Sequence, residues 1–120
     1  MDYDSLQEAG SMIGSGGVIV MDDTTCMVRV LERIAYFYFI ESCGQCTPCR
    51  EGTGWLYRTI RRIRMGQGKS EDLHLLESIA GRIEGNTICA LGDAAAWPVQ
   101  SFLNHFYTEF VSKIKNCTVA

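Results

Sequence analysis

A chain of 120 residues is long enough for one domain with a hydrophobic core and too short for two full domains. Hydrophobic residues make up 47% and charged residues 21%, which is typical of a folded protein rather than a disordered one. The net charge of −3 argues against nucleic-acid binding, and no apolar run is long enough for direct membrane insertion.

The first residues lack the basic and apolar regions of a secretion signal, so we expect the chain to stay in a reducing compartment. Six cysteines in such a compartment indicate metal or cofactor chemistry sooner than disulfides.

Residues 1–23 combine a glycine-rich turn, Gly14-Ser15-Gly16-Gly17, with a short apolar run, Val18-Ile19-Val20-Met21. The run predicts one buried β-strand. Because a single strand cannot form a sheet, its partners are either missing or lie within the first dozen residues. The turn lacks both the G-x-G-x-x-G spacing and a Walker lysine, which argues against a phosphate-binding loop.

Residues 24–120 have a helical pattern, and their apolar spacing predicts four amphipathic helices joined by short loops. The first helix runs from about Thr25 to Glu41. The second begins at Thr47-Pro48, with Thr47 as the N-cap, and ends before Gly66.

The third helix is predicted to be capped by Ser70 and to end at Gly85-Asn86, whereas Asp93 caps a turn of alanines before the fourth. Pro98 is expected to interrupt or kink the start of the fourth helix. These elements predict a mainly α fold, a four-helix bundle. Each predicted helix has one apolar stripe. In order from the first helix to the fourth, the stripes are Leu31, Ile34 and Tyr38; Leu56, Ile60 and Ile63; Leu73, Leu76, Ile79, Ala80 and Ile83; and Val99, Phe102, Leu103, Phe106, Phe110 and Ile114.

Three cysteines follow one another at three-residue intervals, Cys43, Cys46 and Cys49, and Cys89 stands alone further along the chain. Three closely spaced thiolates can bind three irons of a cubane iron–sulfur cluster, and a thiolate from elsewhere in the chain can bind the fourth iron. Structural zinc usually takes its ligands as two separated pairs. The spacing therefore predicts these four residues as ligands of a [4Fe–4S] cluster, with structural zinc or a disulfide framework as the alternatives.

Pro48 at the start of a helix is expected to place Cys49 at the positive end of the helix dipole, where free N–H groups stabilise thiolates. Gly44, Gly52 and Gly54 would let the backbone approach the cluster closely. For the two helical glycines, tight packing and simple helix weakness remain equal alternatives.

The other candidate residues are assigned no chemistry. Cys26 is predicted to be a small buried side chain at a helix start, and Cys117 a free thiol near the terminus. His74 and His105 have no ligand partner at suitable spacing and are predicted at the surface. Trp55 and Trp97 are predicted as core or interface residues rather than electron relays. No catalytic constellation is visible.

Five of the eight arginines fall between Arg50 and Arg64. They predict a solvated helix face, with a docking face for an acidic partner or charge compensation near an anionic cluster as the alternatives.

Two segments, 41–52 and 85–94, carry the cysteines, and together they resemble the NADH-binding flavoprotein subunit of respiratory complex I, also called its F or 51 kDa subunit. Segments 14–21 and 95–102 resemble the same family. The resemblance implies a C-terminal four-helix bundle whose [4Fe–4S] cluster is held by four cysteines, matched here by Cys43, Cys46, Cys49 and Cys89. It also implies that this cluster takes electrons singly from reduced FMN and passes them along a chain of clusters towards quinone.

In that family, FMN and NADH bind to a Rossmann-like domain that has no counterpart in this chain. The resemblance therefore implies a fragment, in which residues 1–23 are the tail of a ubiquitin-like β-domain and NADH oxidation belongs to the full-length protein. It implies two other members of the NADH dehydrogenase module of complex I as partners, namely the [2Fe–2S] subunit and the large iron–sulfur subunit. It also implies a location on the cytoplasmic side of the bacterial inner membrane, or on the mitochondrial matrix side. Diaphorase subunits of NAD-linked hydrogenases and formate dehydrogenases share the cysteine motif and remain alternatives.

Overall fold

A computed structural model describes residues 2–115 and places five α-helices and no strand in them. They are α1 (Tyr3–Glu8), α2 (Met27–Glu41), α3 (Thr47–Arg64), α4 (Glu71–Ile83) and α5 (Leu91–Lys115). Helix α3 contacts α2, α4 and α5, and α5 also contacts α2 and α4. The mainly α fold predicted from the sequence is confirmed.

One core fills the space between α2, α3, α4 and α5, and the predicted apolar stripes supply most of it. Ile34, Tyr38, Phe102 and Ile114 are only half-buried. The buried stripe residues are Leu31, Leu56, Ile60, Ile63, Leu73, Leu76, Ile79, Ala80, Ile83, Val99, Leu103 and Phe110.

Helix α5 continues through Pro98, so the predicted interruption at that residue is wrong. Pro98 lacks an N–H group and cannot donate to the carbonyl one turn earlier, yet the helix is maintained on both sides of it. The kink lies instead at Phe106, where φ is −123° and ψ is 23°. Phe106 itself is 38% exposed, although the sequence predicts it in the apolar stripe.

The strand predicted at Val18-Ile19-Val20-Met21 does not form in the described part of the chain. The expected burial is also wrong, since Val20 is 91% exposed and Ile19 80% exposed. A strand needs a hydrogen-bonding partner, and the preceding residues fold into α1 and turns rather than into a second strand. Asp2 caps α1 by accepting a hydrogen bond from the Ser5 N–H at 2.8 Å, although no helix was predicted here.

The predicted caps of two helices need correction. The N-cap of α3 is Cys46, and Thr47 is already the first helical residue. Ser70 precedes α4, but its hydroxyl makes no capping bond. Asp72 anchors that helix start instead, since its Oδ2 accepts a hydrogen bond from the Lys69 N–H at 2.8 Å.

Two arginines of α3 form ion pairs with residues of neighbouring helices. Arg62 forms an ion pair with Asp72 of α4, and Arg64 forms one with Glu32 of α2. Both carboxylates are buried. Arg62 nevertheless keeps 43% of its side chain exposed and Arg61 is exposed too, in agreement with the predicted solvated face, whereas Arg64 is half-buried. None of the helices in residues 2–115 is both long and apolar enough to cross a membrane.

Candidate metal centre

The four predicted ligands border one pocket at the end of the helical core. Cys43 lies in the loop between α2 and α3, Cys46 and Cys49 lie at the start of α3, and Cys89 lies in the loop between α4 and α5. The pocket measures about 110 Å³. Its lining consists of Glu41, Ser42, Cys43, Gln45, Cys46, Cys49, Thr87, Cys89 and Leu91.

The four thiols lie at different depths in this pocket. Cys49 is buried, Cys46 is half-buried, and Cys43 and Cys89 are exposed. All five cysteines that the structure describes are free thiols, so no disulfide competes for these sulfurs in that part of the chain. One side of the pocket thus faces the core, and the other side opens to the surface.

The start of α3 places Cys49 at a helix N-terminus, as predicted, and Cys46 lies there as well. Cys46 is the N-cap, Pro48 lies in the first turn, and Cys49 follows it. The first backbone N–H groups of a helix have no partner inside the helix, and the positive end of its dipole favours negative charge. This end of α3 is therefore suited to thiolate ligands and to an anionic cluster.

The loop between α2 and α3 is held in a conformation that only glycine adopts easily. Gly44 has a φ of +80°. Its carbonyl accepts a hydrogen bond from Arg50 Nη1 at 2.9 Å, and its N–H donates to Ser42 Oγ at 3.3 Å. These contacts fix the backbone on both sides of Cys43.

Two of the four cysteine sulfurs have hydrogen-bonding neighbours that sequence reasoning missed. Ser42 Oγ lies 3.2 Å from Cys49 Sγ, and the Ile88 N–H donates to Cys46 Sγ at 3.4 Å. The second contact joins the two ligand loops across 42 positions of sequence. Nothing in the spacing of the residues indicates either contact.

The loop carrying Cys89 is braced at both of its ends. The Thr87 hydroxyl donates to the Cys89 carbonyl at 2.9 Å, and Asp93 accepts a hydrogen bond from the Gly85 N–H at 2.7 Å. A Cβ at Gly92 would lie 2.4 Å from Thr87 Oγ1, so the start of α5 approaches this loop closely.

Glu84 ties the C-terminal end of α4 to α5 just before this loop. Its carboxylate accepts hydrogen bonds from Trp97 Nε1 at 2.7 Å and from Gln100 Nε2 at 2.8 Å. These hydrogen bonds hold the pKa of Glu84 below its usual value, and the bond from Gln100 has the larger effect.

The two helical glycines serve helix packing rather than the approach of backbone to the pocket. A Cβ at Gly52 would lie 2.7 Å from Ile83 Cδ1, and one at Gly54 would lie 3.0 Å from a ring carbon of Phe39. Between the two alternatives for these positions, tight packing is confirmed.

The remaining candidates lie away from the pocket. Cys26 is half-buried and packs against the core, whereas Cys117 is outside the described residues. His74 and His105 are exposed, as predicted. Trp55 and Trp97 are not core residues, being 51% and 38% exposed.

Within residues 2–115, no three His, Cys, Asp or Glu side chains lie close enough together to share one metal ion. The four thiols instead surround an open space.

Comparison with known proteins identifies the kind of site. Residues 29–113 match a family model described as the NADH-ubiquinone oxidoreductase-F iron-sulfur binding region. The F subunit of NADH-quinone oxidoreductase from Rickettsia massiliae is 51% identical over 119 residues, which is 99% of this chain and 28% of that protein. The F subunit from Rickettsia bellii strain OSU 85-389 is 52% identical over 115 residues, 96% of this chain and 28% of that protein.

Among solved structures, the NAD+-reducing [NiFe]-hydrogenase in the air-oxidized state is similar, with a TM-score of 0.76 and 30% identity. The match covers 79% of this chain and 17% of the hydrogenase chain. This chain spans 28% of the length of the curated relatives named above. Since the family model covers most of the sequence, the chain belongs to the family of NADH-ubiquinone oxidoreductase-F iron–sulfur binding regions.

Proposed function

We propose that Cys43, Cys46, Cys49 and Cys89 together hold one [4Fe–4S] cluster. The observation that supports this most is that thiols from two separate loops and one helix start border a single pocket. Cubane clusters are held by four cysteine thiolates, and the chain belongs to an iron–sulfur binding family. The donor set therefore fits the group.

The bound cluster would supply one-electron redox chemistry at this pocket. In the full-length protein, we propose, electrons come singly from reduced FMN and leave along a chain of further clusters towards quinone. The exposure of Cys43 and Cys89 supports this proposal, because it leaves one side of the pocket open to a redox partner. The chain's own residues hold the ligands and shield the other side.

The arrangement of the full-length protein is also part of the proposal. Residues 24–120 would be the four-helix-bundle cluster domain, and residues 1–23 the tail of a ubiquitin-like β-domain. The exposed apolar run 18–21 supports this, because it would gain strand partners from the remainder of that β-domain. NADH and FMN would bind elsewhere in the full-length protein. Its neighbours would be the [2Fe–2S] and large iron–sulfur subunits of complex I, on the cytoplasmic side of the bacterial inner membrane.

The comparisons favour this function over that of a hydrogenase diaphorase. Identity to the F subunit from Rickettsia massiliae is 51%, whereas identity to the NAD+-reducing hydrogenase is 30%. The shared fold supports electron transfer in either setting.

Anaerobic purification followed by iron and acid-labile sulfide analysis tests the proposed cluster. We expect equal amounts of iron and sulfide, together with an EPR signal of a [4Fe–4S] cluster after reduction. Zinc is silent in EPR and brings no sulfide. A protein that contains zinc in stoichiometric amount and no sulfide would contradict the proposal.

A further inference from the structure

We propose that the Ser42 hydroxyl donates a hydrogen bond to the Cys49 sulfur and thereby raises the reduction potential of the cluster. This inference rests on the proposed function, since it assigns Ser42 a positioning and tuning role at the same site. Ser42 is the C-cap of α2, directly after its last residue, and Cys49 lies in the first turn of α3. The contact therefore joins two helices at the edge of the pocket.

The geometry determines which of the two atoms donates. Ser42 Oγ and Cys49 Sγ are 3.2 Å apart. The Gly44 N–H already donates to the same hydroxyl oxygen at 3.3 Å, so the hydroxyl proton is free to point elsewhere. A thiolate that ligates iron carries no proton and can only accept. The hydroxyl is therefore the donor, and Cys49 is the acceptor.

The surroundings make this hydrogen bond effective. Cys49 is 6% exposed, and Ser42 is half-buried. Water therefore has little access to the Cys49 sulfur, and a single protein donor contributes more there than at an exposed sulfur. A donor to a ligand sulfur stabilises the reduced cluster more than the oxidised one, because reduction adds negative charge.

The position of Ser42 is fixed independently of the sulfur. Its backbone N–H donates to the Tyr38 carbonyl at 3.1 Å at the end of α2. Replacing the side chain leaves this backbone bond in place. Because the same replacement removes the acceptor of the Gly44 N–H, the iron and sulfide content of each variant is needed to separate loss of the hydrogen bond to sulfur from loss of the loop conformation.

The test is the midpoint potential of the cluster, measured by EPR-monitored redox titration of the anaerobically reconstituted full chain. The variants are Ser42→Ala, Ser42→Thr and Ser42→Val. Threonine keeps a hydroxyl, and valine has nearly the same shape without one. Ser78→Ala, in α4 and away from the pocket, is the matched control.

We expect Ser42→Ala and Ser42→Val to keep their iron and sulfide and to be harder to reduce. The equilibrium constant for one-electron reduction should fall by about tenfold, which corresponds to ~59 mV. The midpoint potential of Ser42→Thr should lie closer to that of the wild-type protein than the potential of Ser42→Val does. Ser78→Ala should leave the potential unchanged.

Three results would overturn the inference. The first is equal potentials in Ser42→Thr and Ser42→Val with intact clusters. The second is loss of the cluster from both Ser42→Ala and Ser42→Val, because the hydroxyl would then hold the loop rather than tune the potential. The third is a wild-type protein that binds no iron or sulfide, and this result would contradict the proposed function as well.

Discussion

Arg62 on α3 forms an ion pair with Asp72 on α4, a carboxylate that is only 3% exposed. Arg62 Nε lies 3.0 Å from Asp72 Oδ2, and that same oxygen accepts the hydrogen bond of the Lys69 N–H. The pair thus joins two helices of the core and also fixes the N-terminal end of one of them. The side chain of the adjacent Arg61 donates a hydrogen bond to the hydroxyl of Tyr57, one turn earlier on the same helix, at 3.0 Å.

We predict that Arg62→Ala destabilises the protein and that Arg61→Ala does not. Removing Arg62 leaves the buried carboxylate of Asp72 without its cation, which should lower the free energy of unfolding by about 1–3 kcal/mol. Arg61→Ala, one position along the chain, should stay within about 0.5 kcal/mol. Urea unfolding of both variants is the measurement. Equal stabilities would show that the ion pair contributes nothing.

A second prediction concerns the glycine at which α3 meets α4. Gly52→Ala would place a methyl group 2.7 Å from the Ile83 side chain, so it should cost about 1–3 kcal/mol through overpacking. Gly81→Ala is the matched control, since nothing lies within 4 Å of a Cβ there. It should stabilise α4 by about 0.5–1 kcal/mol. Thermal unfolding distinguishes the two, and similar shifts would contradict the tight contact at Gly52.

The third prediction is a pH dependence that belongs to Glu84. Hydrogen bonds from Gln100 and Trp97 lower its pKa in the folded state from the value of 4.5. A lowered pKa means that the stabilisation is present above the unfolded pKa and is lost as pH falls through the folded one. When the pH falls below 4.5, the Glu84→Gln variant should therefore lose less stability than the wild-type protein does.

Trp97→Phe, which removes one of the two donors, provides the check on the cause. It should raise the pKa of Glu84 towards its usual value in an NMR titration of the side-chain carboxyl. An unchanged titration would mean that the Trp97 bond does not act on Glu84 in solution.

The fourth prediction is that the helical core forms without the cluster. The core residues come from all four long helices, and the pocket lies at its edge rather than at its centre. Hydrogen exchange on the cluster-free chain should show protected amides in the buried parts of α2–α5 and rapid exchange in 42–46 and 85–90. Uniformly rapid exchange would show instead that the metal drives folding, as it does in zinc fingers.

The four long helices could be predicted from the sequence because their apolar residues recur at helical spacing. The helix ends were less predictable, since one-residue differences depend on local bonds such as that of Asp72 to Lys69. The run 18–21 has the composition of a strand, but composition does not indicate whether a partner strand exists. The same limit applies to Arg62 and Arg64, whose acidic partners lie on other helices.

For the candidate site, the grouping of the four cysteines could be predicted from the sequence, but the contacts around them could not. Cysteine spacing selects Cys43, Cys46 and Cys49, and Cys89 is added because it lies in a predicted loop between two helices. The structure places all four around one pocket. The contacts of Ser42 and Ile88 with the ligand sulfurs depend on how two loops meet, and no local pattern encodes that.

The central claim is that Cys89, from a separate loop, completes the cluster site formed by the three cysteines around the start of α3. The most direct test is the EPR spectrum, with iron and sulfide content, of Cys89→Ser and Cys26→Ser after anaerobic reconstitution. Cys26 is the control because it packs against the core and lies outside the pocket. We predict that Cys89→Ser loses one iron to give a [3Fe–4S] form or loses the cluster entirely, while Cys26→Ser keeps the full [4Fe–4S] signal. An unaltered [4Fe–4S] signal in Cys89→Ser, together with its loss in Cys26→Ser, would contradict the assignment of the fourth ligand.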